Sequence, residues 1–488
     1  MDDLRKVITS AAGAVNTRVI FIAIITASVI WYFISAIHAW YRLRHIPGPR
    51  LASFTYTWFG LWMWRGKITH ILTKIHEKYG PLVRIGPNAL LVSDPDTLFH
   101  INGVRSNYPR GEWYKSIRMD PSGNTMFTEP DTARHDARKA VVTSPYAGKS
   151  KVINFEAVVD AQLGVLVDRL AANYAGHREK ALDLSRIIRY LTVDVITAVL
   201  LGQPWGNVAD EADAYQFCGM MDARMPLAHT IGVTPSLQSV FHSSFFLSLA
   251  GPKPTDKTGI GKFIGVTKKD IEQRLKVLDG TEAGPALKNR NVLDEWLKLG
   301  LTSAECQREA VFHIPAGSET SATALTGTMF HLLTAPAAYR KLKDEIAQGI
   351  RDGRISSPIT NDEAKALPYL QAVVFEGFRM SPPVNSGFSK RVPAAGDTIC
   401  GKFVPGGTEI MWNGFEMMRS RQVFGSDVEI FRPERFIECD DKKRAKMVRV
   451  VELGFGHGRW MCPGKALAWV SLNKTYVEVS QLTIPETF

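Results

Sequence analysis

The chain has 488 residues, longer than one hydrophobic core usually becomes, so one large enzyme fold or about two to three domains is expected. Hydrophobic residues make up 45% and charged residues 22% of the sequence, a balance typical of a globular protein that excludes a disordered chain. The five cysteines show no pairing pattern, which favours a reducing compartment. The net charge of +11 is spread along the chain, which favours a membrane surface or an acidic protein partner over nucleic acid.

An apolar segment near the N-terminus predicts a membrane anchor. Val19 to Ile37 is an uncharged run of 19 residues, and about 20 helical residues cross the hydrocarbon core of a bilayer. Trp40 and Tyr41 follow, where the aromatic residues of a membrane interface are expected. A cleaved signal peptide is the alternative, but its apolar region is only about 7–15 residues long and a small-residue cleavage site should follow. We therefore predict a single-pass anchor at residues 1–45, whose orientation the flanking charges do not decide.

The segment after the anchor predicts a hinge and then a small sheet. Residues 46–50 (IPGPR) contain two prolines that exclude a helix, so we predict a stiff hinge before a catalytic domain at 51–488. Leu82 to Gly86 and Ala89 to Val92 are short apolar runs separated by a Gly-Pro-Asn sequence, which indicates two strands and a turn.

Long amphipathic segments predict that most of residues 130–330 are helical, with breaks near 251–261 and 279–286. Thr302 and Glu305 form a capping-box pattern that starts a helix running to about Leu333. A further helix over 367–380 should end before two prolines, and short strands should follow to about residue 412. The predicted fold class is therefore mainly α with small β-sheets.

The strongest chemical signal is the sequence from Phe455 to Gly464, FGHGRWMCPG, followed by a helical pattern from 465 to 470. Gly458 and Gly464 permit close backbone approaches, as a loop beneath a planar cofactor needs. The following helix would direct free amides at the sulfur of Cys462, which favours the thiolate. A buried structural cysteine is the alternative for a lone Cys, but the ten-residue pattern argues against it.

This segment resembles the haem-binding loop of the cytochromes P450. The resemblance implies that Cys462 is the axial ligand of the haem iron and that Phe455, Gly458, Arg459 and Gly464 help to bind the haem. One position departs from the family pattern. The family usually has arginine two residues before the cysteine, whereas this chain has Trp460 there and Arg459 one place earlier. Which of the two approaches a haem propionate stays open.

A second pair lies on the helix that ends before the two prolines. Glu376 and Arg379 are three residues apart and share a helix face, a spacing that is most often a solvated surface contact. The later segment Phe431 to Phe436 (FRPERF) resembles the family's second half of a Glu-Arg-Arg network. By that resemblance Glu376, Arg379 and Arg435 form a buried structural network.

A third group lies within the long helix that starts at Thr302. Gly317 would let a flat cofactor approach the helix axis, and Pro315 should distort this turn. In the P450 family the matching positions bend the helix over the haem and deliver protons during oxygen activation. The resemblance therefore makes Ala316 and Gly317 haem-contacting residues and Glu319 and Thr320 the catalytic pair. A titratable group beside a hydroxyl suits proton delivery.

Basic residues elsewhere are candidates for the haem propionates. Residues 133–139 (ARHDARK) resemble the family helix whose basic side chains bind a propionate, which makes Arg138 or Lys139 a ligand. A solvated basic turn is the equal alternative for either residue. Arg391 also matches a family propionate ligand.

The motifs occur in family order over nearly the whole chain, and residues 79–88 look most like filamentous-fungal members. The resemblance implies the cytochrome P450 fold with haem b. The reaction would insert one oxygen atom from O2 into a lipophilic substrate such as a fungal secondary-metabolite intermediate. Electrons would come from NADPH through a separate NADPH–cytochrome P450 reductase, with cytochrome b5 as a further candidate partner. The expected location is the endoplasmic reticulum membrane, with the catalytic domain in the cytosol. Family analogy assigns the substrate walls to segments 110–127, 215–247, 309–317 and 384–388.

Two alternatives stay open. A P450-like isomerase or dehydratase would need no external electrons, although the Glu319-Thr320 pair argues against it. The C-terminus suggests the second alternative, because 26 residues follow Cys462 and the tail 481–488 does not resemble the family's closing β-hairpin. A truncated chain that binds haem but is catalytically impaired is the expectation in that case.

Overall fold

The computed structural model describes residues 2–146, 153–174, 179–281 and 290–481. The tail beyond Gln481, expected to lack the family hairpin, lies outside the described residues, as does most of the break predicted at 279–286.

The N-terminal helix α1 (Asp2–Leu43) is longer than the predicted anchor run. Its part from Arg18 to Leu43 has a mean hydropathy of 2.3 and is long and apolar enough to cross a membrane. The proline-rich segment after it is not helical over residues 46–49, as predicted, whereas Arg50 begins a short 3-10 helix (Arg50–Ser53). The segment packs on the body of the protein. The amide of Arg84 donates to the carbonyl of Pro47 over 2.8 Å, and the Arg84 guanidinium donates to the carbonyl of Ala39 over 2.9 Å.

The strands form two small sheets, as the sequence predicts. They are β1 (Leu82–Gly86), β2 (Ala89–Val92), β3 (Ser386–Arg391), β4 (Asp397–Ile399), β5 (Lys402–Val404) and β6 (Glu409–Asn413). The larger sheet has the order β1-β2-β6-β3, in which β2 and β6 are parallel and the other two pairs are antiparallel. Strands β4 and β5 form a separate antiparallel pair. The predicted turn between β1 and β2 is confirmed.

Helices make up most of the described body, which confirms a mainly α fold. After α1 they are α2 (Thr57–Trp64), α3 (Ile68–Tyr79), α4 (Pro95–Asn102), α5 (Trp113–Ser116), α6 (Thr132–Val142), α7 (Phe155–Asn173), α8 (Leu184–Leu201), α9 (Asn207–Asp210), α10 (Phe217–Gly232), α11 (Pro235–Phe241), α12 (Ser244–Ala250), α13 (Gly259–Leu278), α14 (Val292–Lys298), α15 (Ser303–Leu333), α16 (Pro336–Arg351), α17 (Asn361–Lys365), α18 (Pro368–Met380), α19 (Gly414–Met417), α20 (Arg421–Phe424), α21 (Asp441–Glu452) and α22 (Lys465–Gln481).

Helix α15 is the central element of the body. Thr302 caps it, and the side chains of Thr302 and Glu305 bond each other's backbone amides, so the predicted capping box and both ends of the helix are confirmed. It packs against α8, α18 and α22. Helix α8 is buried along most of its length, because its sequence is apolar on nearly every face. Helix α18 likewise matches the prediction, whereas α22 continues well past residue 470.

Candidate active site around Cys462

A cavity of about 600 Å³ separates the middle of α15 from the loop that precedes α22. Cys462 lies on its wall together with Ala316, Gly317 and Thr320. Most of the remaining lining is apolar or aromatic, including Phe127, Phe312, Phe388, Val195 and Leu472. The loop cysteine and the α15 motif, which are far apart in sequence, therefore face the same cavity.

The backbone of the loop fixes the Cys462 sulfur at the start of α22. The Cys462 amide donates to the carbonyl of Phe455 over 2.7 Å. The side chain is open to the cavity, yet it lies deep inside the protein, and this burial raises the pKa of the Cys462 thiol. Amide hydrogen bonds from Gly464 and Lys465 and the charge of Lys139 act in the opposite direction. The arrangement stabilises a thiolate only in part, so a bound cation would complete it.

Gly458 is needed for the close approach of this loop to α4. Its φ is +59°, and an added Cβ would lie 2.5 Å from the carbonyl oxygen of Asn102. Any other residue would therefore combine backbone strain with a clash. At Gly464 an added Cβ would lie 3.8 Å from the Cys462 sulfur, an ordinary contact, so the packing of protein atoms does not itself demand glycine there.

Gly317 has a different neighbour from the one expected. It lines the cavity, but an added Cβ would lie 2.7 Å from both Cγ1 and Cδ1 of Ile196 on α8. The glycine therefore allows two core helices to pack closely. The Thr320 hydroxyl donates to the carbonyl of Ala316 over 2.8 Å, and α15 continues as one helix through Pro315.

Glu319 is held by an arginine that the sequence did not indicate. Arg189 on α8 donates from Nε to Oε1 and from Nη2 to Oε2 of Glu319, each over 2.9 Å. Nη1 of Arg189 donates to the exposed Asp222 on α10, also over 2.9 Å. Burial raises the pKa of Glu319, and Arg189 opposes this shift. A carboxyl group next to the cavity is thus connected to the protein surface through one guanidinium.

Glu376 contacts both Arg379 and Arg435 in the core, away from solvent. Arg379 Nε lies 2.7 Å from Glu376 Oε2, and Arg435 Nε lies 2.9 Å from Glu376 Oε1. Arg435 also pairs with Asp427 over 2.9 Å. The Glu376 carboxylate thus has two guanidinium partners, and such pairing allows its negative charge to be buried.

Three of the four basic residues expected at the propionates are engaged with protein carboxylates instead. Arg138 Nε donates to the buried Glu309 over 2.6 Å. Arg391 is half-exposed and donates to Glu112 over 2.9 Å, and Arg459 donates to Asp136 over 3.0 Å. Each of these guanidinium groups therefore has a protein carboxylate as its partner, and the haem role of Arg138, Arg391 and Arg459 stays a prediction.

Lys139, the fourth of these residues, does line the cavity, but its ammonium group contacts the cysteine loop. It donates to the carbonyls of Arg459 and Met461 over 2.5 and 2.9 Å. Arg110 and His135 also line the cavity, and sequence reasoning missed both. The only sequence feature that pointed towards them was Trp460, the unusual residue whose ring contacts both of them.

The profile of the cytochrome P450 family matches residues 47–479, nearly the whole chain outside the N-terminal helix. The chain belongs to the cytochrome P450 family. Its members use haem b as cofactor, and this P450 is therefore an oxidoreductase of the monooxygenase class. Membership also implies a redox partner that delivers electrons and a small-molecule substrate.

Three similar proteins come from fungi. This P450 is 40% identical over 442 residues to cytochrome P450 monooxygenase aba1 of Botryotinia fuckeliana, covering 90% of this chain and 85% of the relative. It is 37% identical over 459 residues to cytochrome P450 monooxygenase abl1 of Leptosphaeria maculans, covering 93% and 79%. A pisatin demethylase of Fusarium vanettenii is 28% identical over 474 residues, covering 96% and 88%.

The residues around the cavity fit haem b. A thiol with helix amides directed at it faces the cavity, as an axial ligand of a haem iron requires. Two residues of the cavity wall, Arg110 and Trp460, each carry a buried N–H group without a hydrogen-bond partner, at Nε and Nε1 respectively. Unpartnered buried donors suit the acidic edge of a porphyrin.

Proposed function

We propose that this P450 inserts one oxygen atom from O2 into a C–H bond of a lipophilic organic molecule, an intermediate of fungal secondary metabolism. The second oxygen atom leaves as water, and NADPH supplies the electron pair through a separate reductase. The observation that carries the proposal is the largely apolar cavity, which both Cys462 and Thr320 line.

Each residue of the site has a proposed role. With haem bound at Cys462, the site gains the redox chemistry that activates O2, and a thiolate ligand favours O–O cleavage. Phe455 stacks on Phe378 with ring centroids 5.0 Å apart and so stiffens the loop that carries the sulfur. Gly458 keeps that loop against α4, and the amide of Gly464 holds the sulfur by a hydrogen bond.

Protons would reach the cavity through Glu319 and Thr320. Asp222 is exposed and touches Arg189, which in turn holds Glu319, so the carboxyl group has a polar connection to solvent. The raised pKa of Glu319 keeps its protonated form accessible nearer to neutral pH, as a proton carrier requires. The Thr320 hydroxyl would pass the proton on, since it can exchange its bond to Ala316 for one to a water molecule.

The lining favours a lipophilic substrate. Phe127 and Phe312 stack with centroids 4.6 Å apart, and Phe388 meets Phe127 edge-on at 5.4 Å. Such walls exclude water and bind apolar surface. The relatives support the reaction class, since two of them are monooxygenases and a third is a pisatin demethylase.

The proposed organisation is a membrane anchor at 1–45, a hinge at 46–50 and a catalytic domain from residue 51. The helix from Arg18 to Leu43 supports a single span, and the endoplasmic reticulum with a cytosolic catalytic domain is the proposed location. NADPH–cytochrome P450 reductase is the proposed electron donor, and cytochrome b5 a second donor.

The test is the reduced, CO-bound absorption spectrum of the purified full chain, followed by NADPH-dependent turnover with reductase. A thiolate-type band in the unaltered protein and its loss in Cys462→Ala are expected. A folded protein without this band would contradict haem–thiolate binding. Product formation that needs neither NADPH nor O2 would instead support an isomerase or dehydratase, and a normal band without any NADPH-dependent product would support the impaired form.

A further inference from the structure

Arg110, Lys390 and Trp460 meet at one edge of the cavity. Nζ of Lys390 lies 3.2 Å, and Cζ of Arg110 4.5 Å, from the centroid of the Trp460 ring. A β-bridge between Arg110 and Lys390 fixes the two segments that carry the cations. Arg110 and Trp460 line the cavity, and the ammonium group of Lys390 covers the indole ring. We call these three residues the cation–indole cluster.

The cluster has three buried nitrogen donors, and no carboxylate in the described part of the chain accepts a hydrogen bond from any of them. Nε of Arg110, Nζ of Lys390 and Nε1 of Trp460 are all buried without a hydrogen-bond partner. Arg110 directs Nη1 to the uncharged carbonyls of Met126 and Glu129. The Glu129 carboxylate acts on Arg110 through its charge but accepts its hydrogen bonds from Asn124 and the Asp131 amide. The Asp136 carboxylate also acts on Arg110 through its charge, but it is paired with Arg459.

Among the three residues, the shortage of anions affects the pKa of Lys390 most clearly. It is 2% exposed, and its burial together with the charges of Arg110 and Arg459 lowers its pKa to about 5. Burying unpaired cations costs free energy unless an anion neutralises them. The three donors therefore suit a ligand that brings carboxylates to this edge of the cavity, and haem b carries two propionates.

We propose that the cation–indole cluster binds the haem propionates, with Arg110 and Trp460 donating the hydrogen bonds and Lys390 supplying the positive charge that an arginine at position 460 would have brought. This inference rests on haem binding at Cys462, which the CO spectrum of the unaltered protein checks separately.

The chemistry of tryptophan explains why a lysine is needed. An arginine brings both donors and a charge to a carboxylate, whereas an indole brings one N–H donor and no charge. The π face of the indole, however, attracts an ammonium group. Trp460 can therefore donate to a carboxylate at its edge while Lys390 remains on its face, and the two side chains together replace one guanidinium.

The experiment compares neighbouring residues of β3 in the haem-bound full chain. Lys390→Met should transfer haem to excess apomyoglobin about three- to tenfold faster than the unaltered protein, because a charge beside the propionates is lost. Its haem midpoint potential should fall, since removing a nearby positive charge favours the oxidised iron. Arg391→Met is the matched comparison on the same strand. Arg391 is half-exposed and paired with Glu112, so both quantities should change less than in Lys390→Met.

Two further variants separate binding from a merely structural role. Trp460→Phe keeps the ring but removes the N–H, and should lose haem about tenfold faster, the effect of one hydrogen bond to a charged group. The double variant Trp460→Arg with Lys390→Met should regain haem retention to within about twofold, because the guanidinium supplies both donor and charge. Equal haem loss from Lys390→Met and Arg391→Met, or no recovery in the double variant, would overturn the proposal.

Discussion

The Arg189 guanidinium and the Glu319 carboxylate form a bidentate pair beside the cavity, with both N–O distances at 2.9 Å. The pair joins α8 to α15 and uses both oxygens of the carboxylate. Arg189 is also the group that lowers the pKa of Glu319 most strongly, against the larger effect of burial. The availability of a proton at Glu319 therefore depends on Arg189.

Replacing Arg189 with Met should raise the pKa of Glu319 further, because the cation that opposes the effect of burial is removed. The pH at which deprotonation of Glu319 alters NADPH-dependent product formation should therefore increase. Less product should also form per NADPH consumed. Glu319→Gln should lower product formation about 100-fold, the scale of a lost proton-transfer group. Rates of NADPH oxidation, peroxide release and product formation across pH measure this.

Asp222→Asn is the matched control for Arg189→Met. Asp222 is 69% exposed and contacts a different nitrogen of Arg189, so the bidentate pair survives its neutralisation. The pH profile of this variant should follow that of the unaltered protein. An equal upward shift in Asp222→Asn and Arg189→Met would contradict a specific role for the bidentate pair.

Ionisation of Glu319 also affects folding stability. The folded-state pKa is raised, so the folded protein holds this proton more tightly than the unfolded chain does. The contribution of Glu319 to stability is therefore full below the unfolded-state pKa and is lost as the pH rises through the folded-state value. Glu319→Gln should remove this loss, so that its thermal midpoint falls less over that pH interval than that of the unaltered protein. An identical slope in both proteins would refute this.

Replacing Glu376 with Gln should cost about 3–5 kcal/mol of stability, because two buried guanidinium groups lose their shared carboxylate. Asp362→Asn on α17 is the control, since its pair with Lys365 has the same spacing of three residues but is exposed. That change should cost less than about 0.5 kcal/mol. Thermal unfolding of both haem-bound variants measures the contrast, and similar losses would contradict a buried network.

Local signals in the sequence predicted much of the fold. The Thr302–Glu305 capping box and the turn between β1 and β2 depend on residues close in sequence, whose chemistry fixes the local backbone. The partners of charged side chains depend on tertiary packing. Nothing near Arg138 in sequence indicates that Glu309, on another helix, takes its guanidinium.

The choice between Lys390 and Arg391 shows a second limit. Successive side chains of a strand point to opposite faces, so a difference of one residue decides which cation is buried. Family resemblance favoured Arg391, yet the structure buries Lys390 and leaves Arg391 half-exposed. The sequence predicts that a basic residue of this strand approaches the site, whereas the register of β3 against β6 decides which of the two is buried.

Gly317 provides the sharpest stability test, because its neighbour comes from a distant helix. Gly317→Ala gains about 1 kcal/mol of helix propensity but overpacks against Ile196, at a cost of about 1–3 kcal/mol. Ile196 is 4% exposed and has little room to move, so we expect a net loss of stability. Gly164→Ala on α7 is the control, since an added Cβ there meets nothing within 4 Å and should stabilise slightly.

The effect of Gly317→Ala on stability should change sign when the Ile196 side chain is shortened. Ile196→Ala alone leaves a cavity and costs about 2–5 kcal/mol. It also removes Cγ1 and Cδ1 and leaves Cβ, which would lie 3.4 Å from the methyl group added at position 317, so the overpacking is relieved. Adding Gly317→Ala to Ile196→Ala should therefore raise stability, because the methyl group fills part of that cavity. Thermal midpoints of the haem-bound proteins complete a double-mutant cycle. Additive losses would mean that Gly317 is required by the cofactor side of α15 rather than by its packing on α8.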